Sequence, residues 1–116
     1  YPYKIGFDSC TVPGLINSCK NIAIDSFDTC EAARWSAYIT ADMKMLPCSF
    51  DNQAQNWSVD LKTTSIQEAW NSTTFDEFRN YFLKACPKCK DRNGCLGGCP
   101  ISPEIILCEK KRKRGQ

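Results

Sequence analysis

The stretch Cys86-Pro87-Lys88-Cys89-Lys90-Asp91-Arg92-Asn93-Gly94-Cys95-Leu96-Gly97-Gly98-Cys99-Pro100 places four thiols within fourteen residues, with two, five and three positions between them. So much proline, glycine and cysteine excludes regular secondary structure from Cys86 until Ile105, and something other than a ladder of backbone hydrogen bonds must hold this segment. A Cys-x-x-Cys turn lets two thiolates converge on one metal centre. Gly94, Gly97 and Gly98 offer the positive φ angles and close backbone approach that wrapping a cluster requires. Backbone N–H groups freed by such a loop are placed to donate to inorganic sulfide.

The whole chain of 116 residues carries nine cysteines and no histidine. Three chemistries compete for them. Disulfides suit a secreted chain, and Asn56-Trp57-Ser58 and Asn71-Ser72-Thr73 match the glycosylation pattern, but the odd cysteine count and the lack of a signal region weigh against this reading. Zinc takes four thiolates readily, although without histidine it would need two all-cysteine sites. A zinc-stabilised binding module with a basic tail therefore stands as the alternative to an iron-sulfur protein.

Upstream, Trp35-Ser36-Ala37-Tyr38-Ile39 alternates large and small side chains, Thr40-Ala41-Asp42-Met43 offers turn residues, and Lys44 to Cys48 returns. The pattern predicts a β-hairpin. Met43 resists a positive φ, so a longer loop or another turn type is expected in place of the tight Asp-Gly turn. Residues 51–63 are polar and without periodicity and read as a loop. Ser65 with Glu68 fits a capping box opening a short helix through Trp70, and Thr74 with Glu77 fits a second running to about Lys84. In the second helix Phe75, Phe78 and Phe82 share one face, as core packing requires, while Asp76, Glu77, Arg79 and Asn80 are expected to face water.

Length favours one domain, with residues 1–109 as its body and 110–116 as a basic, disordered tail. Lys110 to Arg114 contribute five of the fifteen basic groups; without them ten basic residues stand against thirteen acidic. A nucleic-acid partner is not expected from so short a run. No apolar stretch approaches the roughly 18 residues that cross a bilayer, and Tyr1-Pro2-Tyr3-Lys4-Ile5 has no signal-peptide character, so a cytoplasmic location without membrane contact is expected. The start reads as mid-domain sequence, consistent with a piece of something longer.

Taken together, the cysteine intervals resemble the SPASM domain, the auxiliary-cluster domain of radical S-adenosylmethionine (SAM) enzymes. Its pattern is Cys, nine to fifteen residues, Gly, four residues, Cys, a gap, Cys-x2-Cys-x5-Cys-x3-Cys, a gap and a final Cys. Cys30 and Cys48 correspond to the first pair, with Met43 where the family has its glycine. Cys86, Cys89, Cys95 and Cys99 follow the central spacing, and Cys108 is the last cysteine. Ala69-Trp70-Asn71-Ser72 and Gly97-Gly98-Cys99-Pro100 also resemble the family.

The resemblance implies a small α+β fold: a β-hairpin, one or two short helices, and cysteine-rich irregular loops wrapped around two [4Fe-4S] clusters. Cys30, Cys48 and Cys99 would ligate the first cluster, completed by an upstream cysteine: Cys10 by preference, with Cys19 as the alternative. Whichever of the two does not bind is expected to be a buried free thiol. Cys86, Cys89, Cys95 and Cys108 would ligate the second cluster. Enzymes of this kind cleave SAM at a separate Cys-x3-Cys-x2-Cys site, and this sequence lacks that motif. An accessory role is implied, passing electrons or anchoring a peptide or protein substrate beside a radical SAM catalytic domain in the same longer chain or in trans. Arg92, Asp42, Asp51 and Trp57 fall in expected loops, where solvation or local packing explains each better than substrate contact.

Overall fold

Pro13 and Gly14 look like helix breakers, yet helix α1 runs through them from Val12 to Ser18. Proline suits a helix's first turn, where its missing N–H would have found no partner. The last turn closes through the Cys19 N–H, which donates to the Leu15 carbonyl at 2.8 Å. Ahead of α1 lies a single 3-10 turn, Ser9–Thr11, capped by the Asp8 carboxylate, which accepts the Cys10 N–H at 2.9 Å. Val12 is fully buried beneath them. These elements belong to a computed structural model that describes residues 6–19, 21, 29–51, 56–84, 88–90 and 98–102.

The chain divides into two compact units, Tyr1–Cys30 with Ala85–Gln116, and Glu31–Lys84. The second unit holds an antiparallel sheet of three short strands in the order β1-β2-β3: Tyr38–Ile39, Lys44–Leu46 and Val59–Asp60. Tyr38 pairs with Leu46 and Ile39 with Met45, as the hairpin reading expects. The strand begins later than expected, because Ala33 takes a left-handed φ of 56° and Trp35 and Ser36 both donate backbone N–H bonds to the Glu31 carbonyl. Trp35 thus sits in a turn. The third strand falls inside the stretch read as loop, pairing Val59 with Met45. Two residues are too few for a period of two to show in sequence.

The hairpin turn closes on a left-handed residue. Met43 donates its N–H to the Thr40 carbonyl at 3.0 Å and adopts φ 65°, the left-handed residue that closes a three-residue hairpin loop. The expectation that Met43 resists a positive φ is therefore overturned, whereas the longer loop expected in place of a two-residue Asp-Gly turn is what the structure has. Thr40 supplies the compensation: its hydroxyl donates to the Asp42 carboxylate and accepts the Lys44 N–H at 3.0 Å. The Thr40 hydroxyl also holds the Asp42 carboxyl below the ordinary carboxylate range. A non-glycine residue in this region costs about 1–2 kcal/mol, against which glycine's looser unfolded chain offsets up to about 1 kcal/mol. Met43→Gly is expected to raise stability by about 0.5–1 kcal/mol, since the Met43 side chain is exposed and little burial is lost. Anaerobic urea unfolding followed by circular dichroism checks this; a lower midpoint would show that the methionine side chain has a contact role.

Helix α2, Ile66–Trp70, opens on the expected capping box: Glu68 donates its N–H to Ser65 Oγ at 3.2 Å and its carboxylate accepts the Ser65 N–H at 2.9 Å. That backbone donor holds the Glu68 carboxyl below its usual value. A lowered folded pKa means that the stabilisation is present above the ordinary carboxylate value and is lost as pH falls through the lowered one. Ser65→Ala at neutral pH is expected to cost about 1 kcal/mol in the same unfolding experiment, and no change in midpoint would contradict the capping role.

Helix α3, Thr73–Lys84, starts earlier than the Thr74 and Glu77 pair suggests. Ser72 is its cap: its hydroxyl accepts the Phe75 N–H at 3.3 Å and its carbonyl the Asp76 N–H at 3.0 Å. Phe75 and Phe78 are fully buried, as the aromatic stripe predicts, and join Ala32, Ala33, Met45, Leu46 and Ala69 in the core of this unit. Each phenylalanine contributes about 1.5–3 kcal/mol by burial. Phe82's side chain, like the basic tail at 110–116, lies outside what the structure describes.

Arg79 corrects the sequence reading, for it turns inward. Its Nε donates to the Ala33 carbonyl at 2.6 Å, Nη2 to the Trp70 carbonyl at 2.8 Å and Nη1 to Asp76 at 2.9 Å. The guanidinium also stacks 4.8 Å from the Trp70 ring centroid. One side chain thereby joins the turn at Ala33, the end of α2 and the first turns of α3.

Candidate metal centre

Cys48 lies two residues beyond the end of β2, and the burial of Leu46 and of the intervening Pro47 fixes where the half-buried thiol stands. Its carbonyl accepts the Asp51 N–H at 3.2 Å. Asp51 Oδ2 is buried and has no hydrogen-bond partner among the described residues, so the solvated-loop reading does not hold for Asp51. Trp57 packs edge-on against Phe78 with centroids 5.2 Å apart, which is the local packing expected of it. Asp42 is exposed and tied into the hairpin turn; Arg92 lies outside the described residues.

In the other unit, Cys30 is half-buried. Cys99 is half-buried as well, and the Ser102 N–H donates to its Sγ at 3.3 Å. Gly98 precedes it, buried and at φ 95°, a left-handed conformation that a Cβ would oppose. The positive φ expected in the glycine-rich loop is thus present at Gly98, while Gly94 and Gly97 fall outside the described residues. Cys89 is exposed between two turns.

Cys10 and Cys19 are both exposed, one in the 3-10 turn and the other capping the end of α1. The expectation that whichever of them is not a ligand is a buried thiol is corrected: Cys19 ends a helix of seven residues and its thiol meets solvent. Cys86, Cys95 and Cys108 lie outside the described residues. Among the described residues no group of three or more potential ligands is gathered into one site.

The donor chemistry nonetheless fits iron-sulfur ligation. The chain offers sulfur and no imidazole, and a backbone N–H aimed at Cys99 Sγ is the kind of outer contact that orients a metal-binding sulfur. Ser102 escaped the sequence reading. The only signal for it is Pro100, which fixes φ one residue after Cys99 and so helps to turn the chain back toward the sulfur.

A family model for SPASM, an iron-sulfur cluster-binding domain, matches residues 30–95, more than half of the chain. The chain belongs to the SPASM family. As a SPASM domain it binds iron-sulfur clusters, through thiolates that the protein must position and shield. The match takes in Cys30, Cys48, Cys86, Cys89 and Cys95, whereas Cys99 and Cys108 lie beyond its end. It also spans the β1-β2 hairpin, and so includes the left-handed position of Met43. No curated protein and no solved structure matches the chain.

Proposed function

We propose that this SPASM domain carries two auxiliary [4Fe-4S] clusters and serves as the C-terminal part of a radical SAM enzyme that modifies peptides or proteins. Membership of the family is the observation that carries the reading. Cys10, Cys30, Cys48 and Cys99 hold the first cluster, with Cys19 as the alternative to Cys10. Cys86, Cys89, Cys95 and Cys108 hold the second. When bound, such clusters supply one-electron redox centres whose potentials depend on hydrogen bonds to sulfur, burial and charge.

The chain's own residues then have two tasks. The buried Leu46 and Pro47 fix Cys48, and the Gly98 turn with the Ser102 N–H orients Cys99. With no Cys-x3-Cys-x2-Cys motif in the sequence, SAM cleavage falls to a separate catalytic domain, in the same longer chain or in trans. Electron transfer and substrate anchoring are the roles that remain for this domain. Among the described residues no helix is long and apolar enough to cross a membrane, and the reducing cytoplasm is the compartment that keeps nine thiols available for iron.

Single alanine substitutions test the ligand sets. Cys30, Cys48 and Cys99 variants are each expected to lose about half of the bound iron and to share one altered spectrum, while Cys86, Cys89, Cys95 and Cys108 variants lose the other half and share a second. Iron assay with electron paramagnetic resonance of the reduced proteins reads the result. Variants that do not sort into these two groups would overturn the assignment.

A further inference from the structure

We infer that the backbone N–H of Ser102 is a positioning and tuning group for the cluster bound by Cys99, raising that cluster's reduction potential. The inference rests on the ligand reading above and adds to it a residue that is not itself a ligand. Its basis is geometric. The Ser102 N–H donates to Cys99 Sγ across 3.3 Å, both residues are half-buried, and the turn that presents the sulfur is set by buried Gly98 at φ 95°. The intervening Pro100 has no N–H of its own to compete for the sulfur.

Reduction of a four-iron cluster adds one electron and forms or breaks no bond, so the new negative charge is spread over the iron, the sulfide and the cysteine sulfurs. An N–H dipole pointing at one of those sulfurs stabilises the reduced state more than the oxidised state, and the potential rises. Partial burial strengthens the effect, because water competes less for the sulfur. The serine hydroxyl has no part in this contact, which the backbone alone makes.

Two forms of the full chain remove the N–H: Ser102→Pro, and a backbone ester at position 102 introduced by suppressing a stop codon with an α-hydroxy acid. The ester keeps the ordinary backbone preferences, so it reads the contact even where proline disturbs the turn. Ser102→Ala keeps the N–H and is the control. Iron and sulfide are assayed first, then each protein is titrated anaerobically with dithionite and followed by electron paramagnetic resonance. The expected result is wild-type cluster content with a shift to more negative potential in one of the two signals for the ester and proline forms, and no shift for Ser102→Ala. Wild-type content with unchanged potentials in the ester form overturns the inference and leaves the ligand reading standing. A wild-type protein that holds no iron overturns both.

Discussion

Stripping iron from the anaerobic protein with a chelator is expected to speed trypsin cleavage after Lys88 and Lys90 at least about tenfold, while residues 38–84 keep their helices and sheet. The two lysines flank Cys89 and are exposed. Described residues on this side, 88–90 and 98–102, form turns and bends without helix or strand. On the proposed ligand assignment, ligation would compensate the entropy of ordering such a segment, and its free energy would be folding free energy. The Glu31–Lys84 unit differs, for it has its own core in Met45, Leu46, Phe75 and Phe78. Digestion time courses with and without chelator, paired with circular dichroism, measure both halves of the expectation. Equal cleavage rates would mean that the clusters are not structural.

Arg79→Ala is expected to destabilise the Glu31–Lys84 unit by about 3 kcal/mol. Two charge-assisted bonds to the carbonyls of Ala33 and Trp70 are lost, together with the stack on the Trp70 ring. Each such bond contributes about 1.5–3 kcal/mol when shielded, and the stack about 0.5–1 kcal/mol. The side chain's 24% exposure places the total below their sum. Arg79→Lys keeps the charge but has no planar fork to reach two carbonyls, so it should recover less than half of the loss. Asp76→Ala should cost no more than about 0.5 kcal/mol, because Asp76 is exposed and its ion pair is screened. Urea unfolding of the three variants measures the order. If Asp76→Ala matched Arg79→Ala, the ion pair rather than the carbonyl contacts would be the stabilising feature.

What the sequence made legible is what short-range chemistry decides. Ser65 and Glu68 announce α2 because both halves of a capping box lie three residues apart, and Phe75 with Phe78 announces a buried face because aromatic rings at helical spacing have few other uses. Alternatives of equal local quality are where the reading slips. Ser72 and Thr74 are both competent caps, and it is the Ser72 hydroxyl that accepts the Phe75 N–H. Arg79 stands four residues after Phe75, at the margin of the apolar stripe, where a long stem allows a charged head to reach backbone carbonyls that no sequence pattern displays. The two-residue strand β3 and the left-handed Ala33 depend on tertiary pairing for the same reason.

The cysteine spacing was the most informative feature of the candidate site, and it led to the family that the comparison supports. Spacing says nothing of the backbone around each sulfur. The Ser102 N–H on Cys99, the orphaned Asp51 carboxylate oxygen and the exposed thiol of Cys19 all come from chain path, which glycine, proline and turn residues leave open locally. Met43 is instructive in the opposite direction. The turn needs a left-handed residue, the conformation that glycine suits best, and Met43 adopts it all the same.

Iron and acid-labile sulfide content, measured with the absorption spectrum on protein purified without oxygen, tests the central claim most directly. Two [4Fe-4S] clusters predict about eight of each per chain and a broad band at about 400 nm. Stoichiometric zinc in a colourless protein would contradict the account and make these cysteines the ligands of a structural module.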